Sequence, residues 1–371
     1  MQPITQLKVA HLTSVHRASD TRIAHRECAT LVDAGYDVVL IATGSGRGVP
    51  AGVRYRQLDM PRNRLDRMTR TMFTLYRRAV AERADVYHFH DPELIPVGLL
   101  LRLRGARVVF DVHEDIPKDI LDKPWIPSVL RKPAAVVTNA VLRIVQGRFS
   151  AIVAATPAIA QAYPHPRKAV VSNYPALDEL ALSESDFLQR ERRVVYVGEI
   201  TRLRGIVEMV KAVDALARDI HLTVVGPFET PELAREVGRL PAWKRVEYLG
   251  PRHRSDLPAI LGRAMAGMLI MLPARNHVDA LPTKMFEYMA AGLPVIVSSA
   301  VPLCAEVVRR HDCGLVVDPA DSNAIAQAIR TIVDDPAQAA QMGKRGFDAV
   351  QQHYQWASEG DKLTNLYAQI A

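Results

Sequence analysis

Residues 279–296 read "DALPTKMFEYMAAGLPVI". A helix begins near Pro282, and behind it stands the apolar β-branched run "PVIVS" (294–298), a buried-strand candidate. The same alternation repeats outward in both directions. Towards the amino end it gives "RVVYVG" (193–198), "HLTVVG" (221–226), "RVEYLG" (245–250) and "GMLIML" (267–272); towards the carboxyl end it gives "CGLVV" (313–317). An earlier series comprises "LKVAHL" (7–12), "DVVLIA" (37–42), "DVYHFH" (85–90), "ARVVFDV" (106–112) and "AIVAAT" (151–156), with helical periods between the runs. Short strands alternating with helices build parallel sheets, so the fold class is α/β, with two Rossmann-like doubly wound lobes. The rhythm breaks over 174–192, and the expected domains are 1–175 and 176–353, with 354–371 a last helix crossing back to the first domain. Such sheets take ligands at the carboxyl ends of their strands, here facing across a cleft.

Composition bounds the function without choosing it. The chain has 371 residues, 49% hydrophobic and 23% charged, which is ordinary for a folded protein of two domains. Cys28, Cys304 and Cys313 form no metal-like or redox pair, so a reducing compartment fits. The opening "MQPITQLKVAHLTSVHRASD" lacks the apolar stretch of a signal peptide and no run approaches a membrane span, so the expected location is cytoplasmic. The net charge of +7 lies entirely in the first half: residues 1–185 hold 25 Lys+Arg against 18 Asp+Glu, and residues 186–371 hold 22 of each. Nucleic acid, an anionic membrane surface or a phosphorylated substrate would each suit a basic half. The arginines lack the interleaved aromatics of a single-strand binder, so no nucleic-acid partner is expected.

Lys284 stands in the first turn of the helix that follows the opening loop, where the macrodipole favours anions by a few tenths to about 1 kcal/mol. Either the lysine is simply solvated, or an anion sits there, held by the lysine and the free N–H groups together.

Three stretches of the second half resemble the donor domain of retaining GT-B glycosyltransferases, glycosyltransferase family 4: "YVGEITRLRG" (196–205), "TVVGPFE" (223–229) and the opening segment itself, with an acidic pair eight apart and Asp279 where Glu is usual. In the first half, "SDTRIAHRECATLVDAGYDVVLIA" (19–42), "YHFHDPELIP" (87–96) and "FDVHED" (110–115) resemble the subgroup that builds bacterial surface polysaccharides. The resemblance implies a GT-B fold and transfer of a sugar from a nucleoside diphosphate sugar, as co-substrate, to a glycan or lipid-linked acceptor. It implies no metal and no cofactor.

It also implies roles. Glu287 would accept the ribose hydroxyls, a task suited to a carboxylate. Asp279 would hold hydroxyls of the transferred sugar, while Lys284 and the backbone around Leu281, Pro282 and Thr283 would face the diphosphate. Arg204 would grip the phosphates, with Arg202 as its substitute, because Glu199 occupies a position where a base often follows the glycine. Gly198 and Gly226 belong to the same donor loops. His113 matches the histidine pointed at the donor sugar. His90, Asp91 and Asp20 are expected on the acceptor side; His88 and His90 share one strand face, with no third ligand at metal-like spacing in the sequence. The loop 13–22 lacks the glycine pair that many members carry.

Rival readings are a sugar-nucleotide epimerase of the same fold and a two-lobed sugar-binding protein. A dehydrogenase would want a G-x-G-x-x-G after a strand, and "VGEITRLRG" does not supply one. Finally, the arginines of 61–83 border an apolar helical face, and "KPWIPSVLRK" (123–132) mixes Trp125, Ile126 and Leu130 with Lys123, Arg131 and Lys132. Both suggest peripheral binding to the inner face of the cell membrane.

Overall fold

In a computed structural model of the chain, which describes residues 7–122, 126–180 and 187–370 and gives only the backbone of Asp122, Asp178 and Asn276, thirteen described strands form two parallel sheets. The first contains β1 (Lys8–Arg17), β2 (Asp37–Thr43), β3 (Arg54–Leu58), β4 (Val86–Phe89), β5 (Arg107–Val112), β6 (Ala151–Ala154) and β7 (Lys168–Val170), in the order β3-β2-β1-β4-β5-β6-β7. The second contains β8 (Arg193–Val197), β9 (His221–Val225), β10 (Val246–Gly250), β11 (Ala266–Leu269), β12 (Val295–Ser298) and β13 (Gly314–Val317), in the order β10-β9-β8-β11-β12-β13. The order reverses between β1 and β4 and again between β8 and β11, and these are the points where doubly wound sheets open a ligand crevice.

Each of the eleven runs read as strand candidates became a strand. The two strands that the apolar pattern missed, β3 ("RYRQL") and the three-residue β7 ("KAV"), are partly exposed edge strands.

The contacts divide the chain into residues 1–172 with 357–371, and residues 173–356. In the second unit strand alternation feeds two cores. Val194 and Tyr196 pack with the helices Ile206–Asp214 and Ser322–Asp334, whereas Val195 packs with Thr283–Ala290 and Pro302–His311.

The first unit is asymmetric. Ala10, Leu12, Val108 and Phe110 meet an apolar layer that includes Leu75, Val97 and Leu142. The opposite face carries His11, Thr13, His88 and Asp111, all buried, beneath the helical segment Thr21–Cys28 and Ala29–Asp33. The last helix, Trp356–Ile370, belongs to this unit from Ala357 onward. Its Tyr367 hydroxyl lies 2.9 Å from His88 Nδ1, and its Glu359 Oε2 accepts the Ser172 N–H at 2.8 Å.

The apolar residues of 61–83 do not share one face. Leu75 and Ala79 of the regular helix Met72–Glu82 are buried, while Phe73 of the same helix and Leu65 and Met68 of the two short helical stretches before it stand exposed. Lys123 and Trp125 lie outside the described residues.

Candidate active site

The second unit gathers its chemistry where β8 ends and the helix Thr283–Ala290 begins. That helix has Pro282 before it, no side-chain cap and no acid in its first turn, so its leading N–H groups around Leu281, Pro282 and Thr283 lack a built-in partner side chain. Lys284 folds back over the strand end. Its Nζ donates to the Tyr196 hydroxyl at 3.0 Å and lies 4.2 Å from the centre of that ring. Burial, then the neighbouring Arg204 guanidinium, pull the ammonium down to about 7, although Glu287 and Glu199 oppose the fall.

The glycines make room for this arrangement. Gly198 has φ +128°, and a Cβ there would come 2.6 Å from Lys284 Nζ. Gly226 has φ +136°, and a Cβ there would come 2.0 Å from the Gly198 carbonyl oxygen. Both positions therefore require glycine.

Arg204 remains beside Lys284, donating to the Glu199 carbonyl at 3.1 Å with the Glu199 carboxylate 3.5 Å away. Glu199, unexpected after the glycine, is thus the local partner of Arg204. Arg202 is not part of the group. It pairs with Glu236 on the exposed side of the helix Pro231–Gly238.

Glu287 is 8% exposed and accepts from Arg254 Nη1 at 2.7 Å, while Arg254 Nε donates to Glu179 at 2.6 Å. Sequence reasoning missed Arg254. The only signal was a cation in "PRHRSD" (251–256), far in sequence from either carboxylate. One oxygen of Glu287 is fixed by this bond, so the carboxylate is oriented before any ligand arrives. Asp279 is half-buried in the loop just ahead of the same helix.

In the first unit the ends of β1, β4 and β5 converge. His113 Nε2 lies 2.6 Å from Asp111 Oδ2, and the imidazole is 21% exposed. Asp111 is fully buried and gripped by Arg22, Nε to Oδ2 at 3.1 Å and Nη2 to Oδ1 at 3.0 Å. Burial alone would raise the Asp111 carboxyl, but Arg22 and His113 hold it well below the usual carboxylate range.

His90 and Asp91 do not line an acceptor pocket. His90 is 2% exposed, with Nδ1 3.0 Å from Asp111 and Nε2 3.0 Å from His11 Nδ1. Asp91 is consumed by the chain leaving β1, accepting from the Thr13 hydroxyl at 2.9 Å and the Ser14 N–H at 2.6 Å. Both support the site from behind. Asp20 caps the helical segment by accepting the Ile23 N–H at 2.9 Å and sits 3.2 Å from His16 Nδ1. Burial would raise its carboxyl, but the His16 hydrogen bond and charge draw it down to about 2.

Partners for His88 and His90 come from elements the strand spacing could not reveal. One ligand atom from each of His11, Glu27, His88 and His90 lies within 4.8 Å of the others, and His90, Asp111 and His113 form a second such group among the described residues. Arg22 Nε, however, is 3.0 Å from Glu27 Oε1 as well as bonded to Asp111. The acids already have a buried guanidinium as counter-charge, which makes these groups poor candidates for a dication.

Two family profiles match the chain, Glycosyl transferases group 1 over residues 180–348 and Glycosyl transferase 4-like domain over residues 21–173. The D-inositol 3-phosphate glycosyltransferase of Corynebacterium glutamicum (strain R) is 31% identical over 188 residues, 47% of this chain and 42% of that protein. The alignment thus spans less than half of that relative's length. The alpha-maltose-1-phosphate synthase of Mycolicibacterium smegmatis is 26% identical over 325 residues, 78% of this chain and 80% of that protein. A crystal structure of Anabaena Alr3699/HepE in complex with UDP-glucose superposes with a TM-score of 0.74 over 98% of this chain and 100% of that one, at 15% identity.

Proposed function

Because the chain belongs to the family 4 glycosyltransferases and has the GT-B fold, we propose that it transfers a hexose-type sugar from a uridine or guanosine diphosphate sugar to a glycan or lipid-linked acceptor, with retention. The observation that carries this reading is the conjunction at one strand end of a half-buried lysine, a neighbouring arginine, an uncapped helix start and a pre-oriented carboxylate. Lys284, Arg204 and the N–H groups around Leu281 and Thr283 take the diphosphate, whose charge grows as it departs. Glu287, held by Arg254, takes the ribose diol through its remaining oxygen. Asp279 and His113 act on the transferred sugar, with Asp111 fixing the His113 ring. The leaving phosphate takes the acceptor proton, so no enzymatic nucleophile and no metal is invoked. The reading includes a cytoplasmic location, a role in polysaccharide biosynthesis and contact with an anionic membrane surface; the exposed apolar side of the helix Ser128–Val145 supports the last of these.

The test is a donor panel of UDP- and GDP-sugars with sugar alcohols and alkyl glycosides as acceptors, followed by NMR of the product. Release of the nucleoside diphosphate with an α product from an α donor, at a rate unchanged by EDTA, is expected. An epimerised donor formed without acceptor would establish the epimerase instead, and a rate abolished by EDTA and restored by manganese would overturn the metal-free account.

A further inference from the structure

Lys284 and Arg204 stand side by side at the end of β8, and the Glu199 carboxylate lies among them. The Glu199 carbonyl is fixed, accepting from the Tyr196 hydroxyl at 2.6 Å and from Arg204 Nη1 at 3.1 Å. The carboxylate is held far less. Its side chain is 52% exposed, and its one ion pair among the described residues is the 3.5 Å approach to Arg204 Nη1. Its charge also reaches Lys284 and favours the ammonium form there, as does that of Glu287. Glu287, however, is bonded to Arg254, whereas Glu199 has no ion pair outside the two cations' own pocket among the described residues.

A carboxylate among cations opposes any anion placed beside them, and the opposition grows with the charge of that anion. The two nucleotides that a transferase must bind differ in this respect. Transfer breaks the bond between the anomeric carbon and the β-phosphate oxygen, joins that carbon to the acceptor oxygen, and moves the acceptor's hydroxyl proton onto the leaving phosphate. A terminal phosphate gives up its last proton at about pH 6, so above that pH the proton passes to solvent. The spent nucleoside diphosphate then carries one more negative charge than the donor did.

We infer that Glu199 discriminates between donor and spent nucleotide, repelling the fully ionised terminal phosphate of the product more than the sugar-linked phosphate of the donor and so favouring product release. The inference rests on the proposed diphosphate site at Lys284 and Arg204. It does not depend on Glu199 as a support for Arg204, because the backbone carbonyl makes that hydrogen bond whatever the side chain.

The experiment is calorimetric titration of the full chain and of Glu199→Gln at pH 8 and low salt with UDP, UDP-glucose, GDP and GDP-mannose. The quantity read is the preference for the nucleoside diphosphate over the sugar diphosphate of the same base. Both ligands meet the same free enzyme, so the cost of charging Lys284 cancels from it. For the base that binds, the preference should rise at least about twofold in Glu199→Gln, the order of one unit-charge interaction across several ångströms of partly screened solvent. At pH 5, where the terminal phosphate keeps its proton, the rise should vanish. A smaller rise at pH 8, or an equal loss of both ligands, reduces Glu199 to a partner of Arg204 and overturns the inference, and a rise that persists at pH 5 overturns its basis in charge. Each of these results leaves the donor site standing, since the wild type binds nucleotide in all of them. A wild type that binds none of the four ligands overturns the donor site itself, and the inference with it.

Discussion

Arg202 and Arg204 stand two positions apart in one loop, and their surroundings separate them. Arg204 shares the strand end with Lys284 and Glu199, whereas Arg202 is committed to Glu236 in a surface pair, an interaction that contributes roughly 0–1 kcal/mol. Arg204→Ala should therefore weaken the nucleoside diphosphate at least tenfold, in line with the roughly 1.5–3 kcal/mol of a hydrogen bond to a charged group. Arg202→Ala should stay within about twofold. Titration of both variants with UDP and GDP checks this, and equal losses would place the phosphates elsewhere. The sequence left Arg202 as a substitute for Arg204, because a turn of five residues decides direction by its dihedral angles and not by residue type. Arg254 illustrates the same limit. A charged residue far from its partners in sequence carries no mark of which carboxylates it will orient.

Strands and helices were far more legible. Apolar β-branched runs bounded by turn residues have few alternatives to a parallel strand, and eleven of the thirteen described strands coincide with such runs. β3 escaped notice because this edge strand is mostly polar, and β7 because it is an edge strand of only three residues. The strand-end His and Asp residues were legible as a group but not in their depth. Alternation in β1 and β4 puts His11, His88 and His90 on one face, yet burial of that face depends on the helical segment over Thr21–Asp33 and on the last helix. The membrane contact expected from residues 61–83 and 123–132 is here proposed for the exposed apolar stripe of Ser128–Val145, which begins inside the second of these stretches. Each basic residue near an anionic surface adds about 1 kcal/mol, so Arg131, Lys132 and Arg143 with the valines would suffice for the reversible attachment we propose. Co-sedimentation with phosphatidylglycerol vesicles at low salt is expected and should drop at least fivefold for Val137→Glu with Ile144→Glu. Equal recovery of wild type and variant, or no binding at low salt, would leave the stripe without a lipid partner. No helix among the described residues is long and apolar enough to cross a membrane.

For the molecule as a whole, the account joins two doubly wound sheets to one chemical demand, recognition of a departing diphosphate. The charge oddity that the sequence presented, a lysine opposing its own helix dipole, is now a desolvated ammonium above Tyr196 whose affinity for protons is held down to about 7. A bound diphosphate would restore the ammonium's preference for its proton. The sign follows directly. Below about pH 7 the lysine is already charged, whereas above it binding must draw a proton from solvent, so affinity falls as pH rises through and beyond 7. Isothermal titration with UDP and GDP at pH 8.5, in Tris and in phosphate buffer, measures this uptake from the dependence of the enthalpy on the buffer. For the nucleotide that binds, the account predicts uptake of between about half and one proton by the wild type. In Lys284→Ala the uptake should vanish and affinity should fall at least about tenfold. An enthalpy independent of buffer, with undiminished affinity in Lys284→Ala, would contradict the claim that this lysine holds the diphosphate.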